Sequence, residues 1–382
     1  MKLNTDNWTD STVEEVATEK SVRIDKPSES SYEKFVGLEH FESGELKIKR
    51  YGSTADLNSA MKLFSNGDLL FARRNAYLKR ASIANFEGVC SGDAIVIEQS
   101  DKLVPEFLVL LFNSSRFWEY AISNAAGTMS KRVKWRDLAK FNFKLPPKDE
   151  QEKILSLFLT LEKQIEQTEE QEQNLLQTKR QLLNELFFNT GVFGGYPTSD
   201  NYKLVSFGEL AQNMSKRVDP AQTELEIYVG LEHLDPDNLR IERQGVPADV
   251  KGVKLLIWKG DIIFGKRRAY QRKVAVSHFD GICSAHSMVL RANEKAVNKD
   301  FLPFFMQSDV FMDRAIQISE GSLSPTIKWK VLEKQEFLIP KVELHEKLTD
   351  LFKQFDKLIY ELRAQNQTLK KLKHQLLDGI LG

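Results

Sequence analysis

The sequence predicts an α+β fold built twice: two tandem globular domains separated by two long helices, which pair as an antiparallel coiled coil about a pseudo-twofold axis. Three observations predict it. A shift of 193 or 194 residues superposes the first half of the chain on the second. Each half closes on a run of apolar residues spaced alternately four and three, the rhythm of a coiled-coil seam. A short stretch rich in Gly, with one Pro, separates the halves.

The repeat begins early. Glu15-Val16-Ala17, Ser21, Arg23 and Asp25 return as Glu209-Leu210-Ala211, Ser215, Arg217 and Asp219. Val36-Gly37-Leu38-Glu39-His40 recurs unchanged at 229–233. Asn66-Gly67-Asp68-Leu69-Leu70-Phe71 matches Lys259-Gly260-Asp261-Ile262-Ile263-Phe264, and Phe86-Glu87-Gly88-Val89-Cys90-Ser91 matches Phe279-Asp280-Gly281-Ile282-Cys283-Ser284. Gly127, Lys134, Trp135 and Pro146 match Gly321, Lys328, Trp329 and Pro340. Self-similarity at a fixed offset is the mark of a duplicated structural unit.

Within each unit, Gly-Asp is a turn signal before the apolar runs 69–72 and 262–265, which read as strands. Residues 94–97 and 287–290 read as short buried strands, and 107–120 and 301–316 as aromatic-rich helices. The long helix of the first unit covers 147–188, with a seam through Ile154, Leu157, Leu161, Gln164, Thr168, Gln171, Leu175, Thr178 and Leu182. Its counterpart runs through Leu344, Leu348, Leu351, Phe355, Leu358, Leu362, Gln365, Leu369, Leu372 and Leu376. Each step of the first seam has its partner 194 residues on, and Gln171 against Gln365 makes a shared polar step. A helix of some forty residues, at about 1.5 Å per residue, cannot bury one face within a small domain and needs a partner helix. The expected boundaries are 1–146 and 201–340 for the domains, 147–190 and 341–382 for the helices, and 191–200 for the linker.

Length and composition set outer limits. A chain of 382 residues exceeds one ordinary domain. Lys plus Arg and Asp plus Glu stand equal at 54 each, so net charge names no partner, but its distribution is uneven. Residues 148–185 hold nine acids and five bases, whereas 73–80 and 266–273 contain no acid and are strongly basic. Two cysteines suit a reducing compartment, the start has no signal-peptide core, and no apolar run is long enough for a membrane span. A cytoplasmic location is expected.

The basic loops are the candidate DNA contacts: Arg73, Arg74, Asn75, Tyr77, Lys79 and Arg80 in the first copy, Lys266, Arg267, Arg268, Tyr270, Arg272 and Lys273 in the second. Lys and Arg neutralise phosphates, and Arg or Asn can pair bidentately with base edges. A lone basic run is usually a solvated hairpin; recurrence at the matching place favours contact. A second patch lies at each repeated tryptophan, with Lys131, Arg132, Lys134 and Arg136 near Trp135, and Lys328 and Lys330 beside Trp329 after the loop that holds Ser322. Both tryptophans read as core anchors. Glu39-His40 and Glu232-His233 could form buried polar pairs as easily as contacts. Asn75 aligns with Arg268 and Lys79 with Arg272, so the two domains would read different sequences.

Several chemistries lack their residues. There is no Walker-type phosphate loop, no F-x-G-x-G and no N-P-P-Y-like tetrapeptide of an adenine methyltransferase. Asp235-Pro236-Asp237 with Glu242-Arg243 is a poor match to a nuclease metal site and has no equivalent in the first copy. Cys90 and Cys283 read as small core residues.

The order of these motifs, twice over, resembles the specificity subunit of a type I restriction-modification system. The resemblance covers the whole chain. Gly67-Asp68-Leu69-Leu70 and Gly260-Asp261-Ile262-Ile263 resemble the strand before that family's recognition loop. Gly127 to Trp135, followed by Leu145-Pro146-Pro147 and Glu150-Gln151, resembles its domain-to-helix junction; at the second junction Leu344-His345 replaces Glu150-Gln151. The resemblance implies a non-catalytic subunit with two target-recognition domains, each binding half of a bipartite, asymmetric site on double-stranded DNA. It implies helices that fix the spacer and dock two modification subunits, which supply S-adenosylmethionine and methylate flipped adenine. It further implies a motor-nuclease subunit, with ATP and Mg, for restriction, and no cofactor in this chain. The alternatives are the specificity subunit of a type IIB-like methylase-nuclease, a coiled-coil scaffold that never touches DNA, and a self-sufficient methyltransferase, which the missing motifs disfavour.

Overall fold

A computed structural model of the chain describes residues 5–188 and 201–382. The expected linker, 191–200, lies outside the described residues. The chain divides into two compact units, Met1–Thr168 with Gln365–Gly382, and Glu169–Ala364.

In the first unit a four-stranded antiparallel sheet runs in the order Ala17–Lys20, Ala94–Gln99, Leu69–Ala72, Ala81–Ile83. A second sheet of five short strands, Arg23–Ile24, Met61–Phe64, Gly88–Cys90, Lys34–Val36 and Gly52–Ser53, holds one parallel pair, Lys34–Val36 beside Gly88–Cys90. Thr9–Thr12 pairs with Asn142–Leu145 and so ties the start of the domain to the strand that leads into the long helix. The second unit repeats this order with Ala211–Asn213, Met288–Ala292, Ile262–Phe264 and Val274–Val276 in one sheet, and Tyr202–Ser206 paired with Glu336–Pro340. The Gly-Asp signal does what its chemistry suggests. Gly67 and Gly260 take φ of 91° and 93°, a conformation that strains other residues. The following Asp68 and Asp261 are buried and accept hydrogen bonds from the Ser65 and Trp258 amides, at 2.7 and 2.9 Å, closing the turn.

The helices expected at 107–120 and 301–316 are each broken in two. Leu108–Asn113 is followed by Ser115–Ser123, and Leu302–Gln307 by Asp309–Gln317. The breaker is a buried serine: Ser114 and Ser308 sit in extended backbone and cap the second helix, their Oγ accepting from Phe117 and Phe311 amides. Apolar content masked these serines in the sequence. Phe71, Phe112, Phe117 and Trp118 pack around the first break, and Phe264, Phe305 and Phe311 around the second.

Lys148–Phe188 and Val342–Leu381 are single helices. Within the first unit the start of one lies against the end of the other: Ile154, Phe158 and Leu161 share a core with Leu377 and Leu381. Within the second, Leu183, Leu186 and Phe187 share a core with Phe352. Direction is fixed by side-chain pairs. Glu162 meets Lys373 while the Ile165 carbonyl meets Asn366; in the second unit Glu172 meets Arg363 at 2.7 Å and Lys179 meets Asp356 at 2.5 Å. Numbers rise along one helix as they fall along the other, so the pairing is antiparallel in each unit.

The seam departs from the expected one by a single residue at every second step. Ile154, Leu161 and Thr168 are buried as expected, but Leu157, Gln164, Gln171 and Thr178 are exposed, and Phe158, Ile165 and Lys179 take their places, with Glu172 half-buried. In the second helix Phe352, Ile359 and Asn366 replace Leu351, Leu358 and Gln365, and Lys373 replaces Leu372. The shared polar step is therefore not Gln171 with Gln365, both exposed, but Lys179, which is buried, and Lys373, which is half-buried. They are 194 residues apart, and so are their partners Glu162 and Asp356.

Candidate nucleic-acid interface

The two basic patches of each unit form one surface. After Leu69–Ala72 the chain runs beside 131–133. The Asn75 amide donates to the Lys131 carbonyl and the Val133 amide to the Arg73 carbonyl, both at 3.0 Å. In the second unit the Arg268 amide donates to the Pro325 carbonyl at 2.8 Å and the Ile327 amide to the Lys266 carbonyl at 3.0 Å. Each ladder is locked by a side-chain clamp. Arg74 Nε donates to Ser130 Oγ at 2.7 Å, and Arg267 Nε to Ser324 Oγ at 2.6 Å.

Each recognition loop makes a 3-10 turn, Ala76–Leu78 or Ala269–Gln271, flanked by left-handed residues: Asn75 and Lys79 at φ 54° and 50°, Arg268 and Arg272 at 58° and 54°. Such conformations cost non-glycine residues free energy and are kept where the fold enforces them. Here they turn the tyrosine outward. Tyr77 is 65% and Tyr270 54% exposed, while the neighbouring Ala76 and Ala269 are buried.

The last cation of each loop has another task. Arg80 Nη1 donates to the Leu38 carbonyl at 2.8 Å, and Lys273 Nζ to the Leu231 carbonyl at 2.7 Å. These carbonyls belong to the repeated Val-Gly-Leu-Glu-His segment, which is itself closed by the Gly37 and Gly230 amides donating to Nδ1 of His40 and His233. That segment is a brace for the loop. Burial pushes the Arg80 guanidinium below its ordinary value, against the opposing pull of Tyr77 and Glu39. Arg272 is also turned inward, its side chain 14% exposed. It binds Asp237 at 2.8 and 3.2 Å, Asp309 at 2.8 Å and the Gln307 carbonyl. Asp309 also takes Arg180 and Asn184 from the first long helix. Burial raises the Asp309 carboxyl, but the hydrogen bonds from Arg180 and Asn184, with the charge of Arg272, outweigh it and hold the acid below its ordinary value.

The remaining candidates are spread over the outer surface. Arg268, Lys131 and Lys134 are exposed, as is Ser322; Arg73 and Lys79 are half-buried, and Lys328 is exposed but bound to Glu320 at 2.5 Å. Lys266 is half-buried, and desolvation lowers its pKa. Trp135 and Trp329 are half-buried and pack on the two cores. Cys90 and Cys283 are buried core thiols, pushed up by burial to about 12. Asp235 is bound by Arg243, and among the described residues no group of three or more His, Cys, Asp or Glu side chains could hold a metal ion.

One difference between the copies was not read from the sequence. Asp93 follows Cys90-Ser91-Gly92; the same place after Cys283-Ser284-Ala285 holds His286. Asp93 accepts from Arg132 at 2.8 and 3.3 Å and bridges Arg74 at 3.5 Å. The Arg132 hydrogen bond is the main reason its carboxyl lies below the ordinary range. His286 instead accepts at Nε2 from Arg267 Nη1 at 3.1 Å. Burial, then the charges of Arg267, Lys266 and Lys254, lower its pKa and favour the neutral ring. Arg74 thus shares a carboxylate with Arg132, whereas Arg267 keeps its charge unbalanced by His286. The repeat alignment carried this signal at the position three residues after each cysteine.

Comparison with known proteins points one way. The family model of the type I restriction modification DNA specificity domain matches residues 5–177 and again 248–373. The type I restriction enzyme EcoDI specificity subunit of Escherichia coli is 28% identical over 148 residues, which cover 36% of this chain and 33% of that protein. The match thus spans about a third of the curated relative. The type I restriction-modification S subunit from M. genitalium has a similar fold, with a TM-score of 0.58 and 14% identity over all of this chain and 98% of its own. A chain solved in a study of assembly and conformational transition in a type I restriction-modification system has a TM-score of 0.59 and 18% identity over 99% of this chain and 98% of its own.

Proposed function

The chain belongs to the type I restriction-modification DNA specificity family, and from that premise we propose that it is a non-catalytic subunit that reads a bipartite, asymmetric target on double-stranded DNA, one half with each domain. The observation that carries this reading is the pair of laced loops. Each unit laces its basic loop to a second segment far off in sequence, cationic at Lys131 and Arg132 in the first unit and carrying Pro325 and Thr326 in the second. Together they make one outward surface with an exposed tyrosine and an arginine fixed in direction. Fixed guanidiniums suit base edges, exposed lysines suit phosphates, and the two together give position and sequence. The loops share a backbone but differ in polar residues, Asn75 against Arg268 and Asp93 against His286, so the two halves of the target differ. The contact set proposed is Arg73, Arg74, Asn75, Tyr77, Lys79, Lys131, Arg132 and Lys134 in the first unit, with Lys266, Arg267, Arg268, Tyr270, Ser322 and Lys328 in the second. Arg80, Arg272 and Lys273 support these loops from behind.

The chemistry belongs to partners. Two modification subunits dock on the long helices and use S-adenosylmethionine, and a motor-nuclease using ATP and Mg joins for restriction; this chain holds no cofactor. No helix among the described residues is long and apolar enough to cross a membrane. The proposed location is the cytoplasm, where the DNA is.

Charge reversal tests the reading. The full chain is co-expressed with the methyltransferase subunits of its host, and methylated adenines are mapped across the genome. Reversing Arg74 and Arg267 to Glu should abolish methylation at the mapped sites while the subunits still co-purify. Unchanged methylation would leave a scaffold without DNA contact as the better account.

A further inference from the structure

We propose that Met129 and Leu323 are paired apolar wedges, one per domain, that enter an unstacked base step beside each recognition loop. The proposal rests on the DNA-reading function above. Met129 is 99% and Leu323 92% exposed. Isolated apolar residues on a surface are ordinary. These two are not isolated in the ordinary sense, since they hold the same place in a duplicated loop, 194 residues apart. The flanking side chains have diverged, Thr128 to Ser322, Lys131 to Pro325 and Arg132 to Thr326, but the tip has stayed large and apolar.

The loop is built to present that tip. Ala126 and Arg132 exchange two backbone hydrogen bonds, at 3.0 and 2.9 Å, as do Glu320 and Thr326. Gly127 and Gly321, at φ 124° and 109°, turn the chain within each narrow bridge. The residue after each tip is the serine clamped by Arg74 or Arg267. An apolar side chain is thus held in water on a tethered loop, beside the cations proposed to meet phosphates. A folded protein gains nothing from that placement by itself. DNA offers a fitting occupant: proteins insert Met or Leu between base pairs, and the unstacking is offset by the contacts that follow.

The test uses the full chain co-purified with its methyltransferase subunits, and a duplex carrying the half-sites mapped above. 2-Aminopurine is placed in turn at each position other than the methylated adenine. Wild type should raise fluorescence at one step in each half-site. Met129→Ser should remove the rise in one half-site only and Leu323→Ser in the other, each weakening binding on the order of tenfold. Met129→Leu and Leu323→Met should retain both signals. Serine variants that match wild type in fluorescence and affinity overturn the wedge. So do serine variants that bind the duplex normally but shed methyltransferase subunits on gel filtration, because the tips would then be protein contacts. A wild-type complex that does not retain the duplex overturns the DNA-reading function itself, and the wedge with it.

Discussion

Arg268 and Arg272 lie four residues apart in one basic loop, and composition cannot separate them. The backbone does: both have left-handed φ, but the intervening turn sends one side chain to solvent and the other to Asp237 and Asp309. Their substitutions should therefore differ in kind. Arg272→Met leaves two carboxylates without their shared cation and should lower stability by about 3 kcal/mol, the usual scale for breaking a buried charge pair. Arg268→Ala should leave the denaturation midpoint unchanged and weaken DNA binding. Chemical denaturation of both variants, beside a DNA-retention assay, checks the contrast. A midpoint for Arg272→Met equal to wild type would remove its supporting role. Basic character and recurrence marked the loops in the sequence. Which cation faced outward was not legible, because that depends on acids at 237 and 309 brought in by distant segments, and on left-handed turns made here without glycine.

At the scale of the element, the existence of both long helices was readable from heptad spacing, but the phase of half the seam was not. Leu157 and Phe158 are both apolar, and the correct phase puts Glu172, Lys179 and Lys373 inside, which a hydrophobic pattern rejects. Ile165 beside Gln164 was the readable signal for the true phase. Both lysines meet carboxylates on the facing helix, buried Lys179 at Asp356 and half-buried Lys373 at Glu162, and Lys373 also donates to the Gly44 carbonyl at 2.7 Å. Burial pushes the Lys179 ammonium down, and Asp356 opposes that. Such pairs are weak evidence of stability but serve well to fix register. Lys373→Met alone should cost about 3 kcal/mol by stranding Glu162. Lys373→Met combined with Glu162→Leu should recover most of that loss. Denaturation of the single and double variants measures it, and additive losses in the double variant would show that the pair does not act as a unit.

At the scale of the whole molecule, duplication was the most legible feature, because turns, strand order and core positions recur at a fixed offset. Where the copies differ, the difference has consequences that can be measured separately. The domain-to-helix junction is one such place. Gln151 in the first unit is buried; its Oε1 accepts from the Val104 amide at 2.9 Å and its Nε2 donates to the Pro146 carbonyl at 2.8 Å. His345, 194 residues on, does the same work: Nδ1 accepts from the Asn298 amide at 3.2 Å and Nε2 donates to the Pro340 carbonyl at 2.8 Å. The ring also stacks on Phe301, with centroids 4.1 Å apart. The exchange of Gln151 for His345 is therefore, within the chain's own fold, a replacement of one acceptor-donor pair by another. They are not equal in acid. Only neutral imidazole can accept from Asn298, and burial holds the His345 pKa below its ordinary 6.5, although the Pro340 carbonyl and Glu343 pull the other way. The unfolded chain binds the proton more readily than the folded one, so His345 contributes its full stability above about pH 6.5. That contribution falls as the pH drops from there through the folded pKa. Gln151 does not titrate. Thermal unfolding between pH 7.5 and 5 should show the second unit losing stability, His286 contributing beside His345 because its pKa is lowered too, and His345→Gln should remove the share that His345 carries. The depressed Asp309 acid acts only at lower pH, near and below the ordinary carboxylate range, and so does not blur the reading. An unchanged pH profile in His345→Gln would mean that this imidazole is not the group that acid strikes first.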